Sequence, residues 1–139
     1  MPKVTVTAAK GLVQETGTAP SSLGTGVAVG AQSVAAAGSD AADGGAISAT
    51  GGALVLVTGA DDTKGVTLPA LSSVPAGTTY FILNLVSNKT LEVHPTAGDY
   101  IHPLENDNGI TVAASGMLIV VSDSAGDQWA SAEPAATGA

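Results

Sequence analysis

The sequence predicts an all-β sandwich or barrel. Two observations carry this reading. Seven short apolar runs fall at 53–58, 66–68, 78–86, 90–93, 110–113, 117–122 and 128–131, and Gly, Asp, Asn and Pro sit between them. No comparable run of catalytic residue types accompanies the strands, which points to a protein that works through its surfaces.

Taken in order, the chain opens with Val4 and Val6 alternating with Thr5 and Thr7, the period of a strand over 3–7. Residues 11–52 are rich in Gly, Ala, Ser and Thr and read largely as flexible linker over 11–45, with 27–37 open to either a short helix or an extended run. Ordering such a segment costs backbone entropy. An ordered arm therefore implies docking against the β domain, a sister subunit or a larger assembly. The domain organisation expected is an N-terminal arm at 1–50, a β domain at 51–134 and a small tail at 135–139.

Within the β domain, Leu54 and Leu56 alternate with Val55 and Val57, and 117–121 is apolar throughout. On 78–86, Phe81, Leu83 and Leu85 share one face while Tyr80, Ile82, Asn84 and Val86 share the other. Strands apolar on both faces are covered on both sides. The second cover expected here is another subunit. Pro75-Ala76-Gly77 supplies a turn into the Tyr80 strand. Ser87-Asn88-Lys89 is tight enough for a hairpin between 78–86 and 90–93. Ala114-Ser115-Gly116 and 123–127 mark the later turns. No internal repeat at a fixed period is visible, so a solenoid is not expected.

Charge narrows the partners. Lysine occurs four times, arginine is absent, and twelve acids give a formal charge of −8. A phosphate backbone needs clustered cations, so neither nucleic acid nor an anionic membrane surface is expected as a partner. The start, MPKVTVTAAK, lacks the apolar core of a signal peptide, and no stretch approaches the ~18 apolar residues of a membrane span. Cysteine is absent, so stability comes from packing or assembly. With 45% apolar and only 12% charged residues, part of the apolar surface is expected to be covered by other copies.

Candidate chemistry is sparse. His94 and His102, with Glu92 and Glu105 nearby, do not meet the close His-x-His spacing of a cupin metal site, and each histidine precedes a proline. Asp61-Asp62-Thr63 and Glu105-Asn106-Asp107-Asn108-Gly109 are oxygen-rich, but neither has EF-hand spacing, and both read as solvated turns. There is no GxSxG, and Gly24-Thr25-Gly26 lacks the lysine and flanking elements of a phosphate loop. Of four aromatics, Trp129 reads as a core anchor rather than a sugar platform. No enzymatic activity, cofactor or metal is expected.

The order of Gly65-Val66-Thr67-Leu68-Pro69, Pro75-Ala76-Gly77-Thr78, then 93–101 (VHPTAGDYI), 112–116 (VAASG) and 122–129 (SDSAGDQW) resembles a β domain of tailed-phage virion proteins, head decoration (cement) proteins among them. The resemblance covers about 53–131. It implies a jelly-roll-like antiparallel β-sandwich that trimerises on the outer surface of an icosahedral phage head and clamps neighbouring major capsid proteins. On that reading Leu54, Leu56, Tyr80, Ile82 and Val86 are expected at the subunit interface. Val4, Val6, Leu12, Val13 and Leu23 are expected against the capsid. The alternative is a receptor- or glycan-binding module of a phage fibre or spike, using loops such as 100–109.

Overall fold

The computed structural model describes residues 4–7, 11–14, 30–123 and 128–132. Strands β1 (Val4–Thr7) and β2 (Gly11–Gln14) pair antiparallel as a two-stranded sheet. The remaining strands are β3 (Ala31–Ala35), β4 (Gly45–Ala46), β5 (Leu54–Thr58), β6 (Gly65–Thr67), β7 (Thr79–Asn84), β8 (Leu91–His94), β9 (Ile101–His102), β10 (Ile110–Val112), β11 (Met117–Ser122) and β12 (Trp129–Ala132). They build a six-stranded sheet in the order β3-β5-β7-β11-β12-β9 and a four-stranded sheet in the order β10-β8-β6-β4. All seven expected runs are strands, with ends close to those expected.

The connectivity is not that of a jelly-roll. From β3 to β8 the chain alternates between the two sheets and advances one strand per circuit, so β3, β5 and β7 run parallel in one sheet and β4, β6 and β8 run parallel in the other. This is a parallel-rich β-solenoid of about four turns, and it replaces the antiparallel jelly-roll sandwich expected from the sequence. Antiparallel pairing enters at the C-terminal end, where β11 joins β7, β12 joins β11 and β10 joins β8. The expected hairpin across Ser87-Asn88-Lys89 does not form, because β7 and β8 lie in different sheets.

The turns differ in length, which is why no period shows in the sequence. In the six-stranded sheet Ala31 lies beside Leu54, and Leu54 beside Phe81, so the second circuit is longer than the first. The four-stranded sheet shows the same lengthening, with Gly45 beside Val66 and Val66 beside Val93. The first turn comes from within the stretch read as an arm. Val34, Ala36 and Ile47 enter the core there. Gln32 ties its return loop: its Oε1 accepts from Ser48 N at 3.0 Å, and its Nε2 donates to Gly52 O at 2.8 Å.

A single cluster fills the interior between the sheets. Val55, Ile82 and Leu118 line up across one sheet and Val66, Val93, Leu91 and Val112 across the other. Packing is especially tight where His94 spans the glycines at 65 and 109. A Cβ on Gly65 would stand 2.8 Å from Glu92 O and 2.9 Å from His94 Cδ2. The backbone oxygen cannot withdraw without breaking the β6–β8 pairing. Gly65→Ala is therefore expected to lose about 2 kcal/mol of stability, read from the urea midpoint at unchanged slope.

Candidate functional site

Alternation along the strands of the six-stranded sheet sends Val34, Val55, Val57, Tyr80, Ile82, Asn84, Leu118, Val120 and Trp129 inward. The outward set is uncharged and mostly apolar, with Ser33, Thr58 and Thr79 among it. Strand register sets these side chains in rows. Ala31, Leu54, Phe81, Ile119 and Ala132 form one row, and Ser33, Leu56, Leu83 and Met117 the next. Leu85 extends the Phe81–Leu83 line just beyond β7 and is 49% exposed, while Met117 is 38% exposed. The other large side chains of these rows are half-buried.

No Asp, Glu or Lys occurs in β3, β5, β7, β11 or β12; His102 on β9 closes the far edge. Charge sits instead on the loops and the opposite sheet. The Lys64 ammonium, with Thr63, holds the Asp61 carboxyl down to about 2. Lys89 and the Thr90 backbone lower the Asp62 carboxyl in the same way. Asp62, at φ 74°, accepts from Thr90 N at 2.8 Å and so fastens one turn of the solenoid to the next, while Asp61 bonds within its own loop to Thr63 and Lys64. Among the described residues the charges thus lie away from one broad face.

The residues expected at a subunit interface divide between the two sides. Leu54 and Leu56 lie on the outer face. Tyr80 and Ile82 do not: they are core residues, 2% and 0% exposed, and are unavailable to another subunit. Val86 packs against the same core. The Tyr80 hydroxyl reaches Ser48 O at 3.4 Å, and burial pushes its pKa up. The set opposite Tyr80 on the same strand, Phe81, Leu83 and Leu85, is the outward one, joined by Met117 and Ile119. Of the residues expected against a capsid, Val4 and Val6 lie on β1 and Leu12 and Val13 on β2, while Leu23 lies outside the described residues.

The other candidates lie apart from this face, save His102 at its edge. His94 is buried between Gly65 and Gly109, with Nε2 3.6 Å from Glu92 Oε2, and His102 is exposed. Among the described residues no three His, Cys, Asp or Glu side chains converge. In the Glu105–Gly109 loop, Asp107 Oδ1 accepts from Gly98 N at 2.8 Å, which is turn chemistry. Trp129 is a core residue, its ring centroid 5.9 Å from that of Tyr80.

No family model, curated protein or solved structure matches the chain.

Proposed function

We propose that this chain is a structural protein that works by binding, and that its biological form is a capsid decoration protein, a homotrimer on the outer surface of an icosahedral phage head that bridges major capsid proteins. The observation that carries the reading is that the outer face of the six-stranded sheet is mostly apolar and, among the described residues, free of Asp, Glu and Lys, on an acidic chain. A broad sheet face of half-buried apolar side chains with Leu85 and Met117 exposed supports reading it as an interaction site. The phage assignment rests on the sequence resemblance over 53–131. A protein that binds only the assembled shell lowers its free energy relative to the dissociated one and so strengthens the particle. The fibre or spike alternative is weaker on one count: Trp129 is in the core and leaves the 100–109 loop without a tryptophan platform.

Quantitative mass spectrometry of purified particles tests this reading. The expected result is a copy number equal to, or a simple fraction of, that of the main shell protein. A copy number far below it would move the protein to a fibre or vertex, and absence from particles would overturn the virion assignment.

A further inference from the structure

We infer that the outer face of the six-stranded sheet is an interface between copies of this chain. The inference rests on the self-association proposed above, and it adds which surface the copies share.

Three features favour a second copy. The first is area. With strands about 4.8 Å apart and residues about 3.3 Å apart along them, the five strands from β3 to β12 present roughly 500 Å². Two such faces would bury on the order of 1,000 Å² in total, the size at which specific interfaces begin. The second is charge. Copies carrying −8 each repel, and only a surface whose acids lie elsewhere lets them meet without opposed like charges. Among the described residues this face meets that condition, because Asp40, Asp43, Asp61, Asp62, Asp99, Glu105, Asp107 and Asp123 lie outside the strands and Glu92 lies on the opposite sheet. A partner chosen for opposite charge would be read by those loops. The third is relief. Phe81, Leu83, Met117 and Ile119 form a raised centre between low alanine borders at Ala31 and Ala35 on one side and Ala130 and Ala132 on the other. Large centres beside small borders let facing side chains interdigitate as sheets do in a sandwich.

The absence of cysteine makes the test clean. Sedimentation at micromolar concentration is expected to show the wild-type chain as an oligomer. Met117→Lys and Leu85→Lys, each at an exposed position, are expected to weaken self-association by at least about 30-fold while the β circular dichroism is kept. Leu83→Cys is expected to cross-link to a neighbouring copy with a short bismaleimide, and Thr111→Cys, exposed on the opposite sheet, is not. A wild-type monomer overturns the inference and leaves the face to a different protein. So does an oligomer that both folded lysine variants retain. If one lysine variant fails to fold, the other and the cross-link decide. Oligomers that ignore phage shells would remove the decoration reading alone, and monomers that bind shells would remove this inference and the trimer while leaving decoration in place.

Discussion

Trp129→Ala is expected to lose about 3–5 kcal/mol, a large share of the stability of a domain this size. The indole is fully buried and is the largest side chain in the core. It also sits where the two sheets stop matching. The six-stranded sheet carries β12 and β9 beyond the last strand that faces the four-stranded sheet. Trp129, with Ile101 beside it in register, fills the end of the solenoid that no facing strand closes among the described residues. Alanine there leaves a cavity bounded by Tyr80 and Ile101, and paired strands on either side limit its collapse. The melting temperature should fall by roughly 15 °C, read by circular dichroism because the only tryptophan is gone. Trp129→Phe separates packing from polarity. Nε1 of Trp129 makes no hydrogen bond among the described residues, so the smaller ring loses volume but also removes a buried unpaired donor. Its loss is expected to be well under half that of alanine. A phenylalanine variant as unstable as the alanine one would show that the indole nitrogen, not the ring volume, holds this end.

How much of this is legible in the sequence depends on what each signal encodes. Period-two alternation and turn residues are local, and they locate β5 to β8 and β10 to β12. Partner choice is not local. The run Leu54–Val57 reads the same whether its neighbour is the next strand in sequence or one a full circuit away. The strongest hint lies in strands apolar on both faces, which parallel sheets favour. It is present in β5, β7 and β11, but subunit packing accounts for it equally well. The repeat that would decide the matter is hidden, because the circuit from Ala31 to Leu54 is shorter than the one from Leu54 to Phe81. Strand β3 is hidden for a different reason: Ala31-Gln32-Ser33-Val34-Ala35 has weak propensity and is held by pairing with β5 and by the Gln32 bonds to Ser48 and Gly52.

The candidate surface is half legible. That the two faces of β7 differ follows from spacing, but which faces inward does not. The usual rule would bury the purely apolar set of Phe81, Leu83 and Leu85 and expose the set containing Asn84 and Tyr80. The opposite holds, because the polar groups of the second set find backbone partners inside: Tyr80 at Ser48, and Asn84 at the corner where the chain crosses to the other sheet. Buried polarity satisfied by backbone is invisible in a hydropathy pattern.

That corner yields the second large effect. Asn84 is 1% exposed. Its Nδ2 donates to Lys89 O at 2.8 Å and to Ala113 O at 3.2 Å, and its Oδ1 accepts from Val86 N at 3.0 Å. One side chain thus brackets the β7–β8 crossing and ties it to the segment after β10. Asn84→Leu keeps the volume and strips all three partners, so a loss of about 3–5 kcal/mol is expected in urea unfolding. Asn84→Asp adds a pH signature. The introduced carboxylate would face two carbonyl oxygens, whereas its protonated form can donate to one of them. The folded state therefore holds this proton above the ~3.9 of an unfolded aspartate. Between about pH 4 and pH 7 the folded chain then binds more protons than the unfolded one, and the stability of this variant falls as pH rises. The wild-type chain, with a neutral amide there, lacks that component. A variant whose stability rises with pH across this window would mean that the amide donates nothing essential. The same bracket presents Leu85 to solvent beside Leu83 and Met117. Variants at Asn84 that still fold should accordingly lose self-association at concentrations where their β circular dichroism is unchanged, because a loosened corner no longer holds the edge of the apolar face in place.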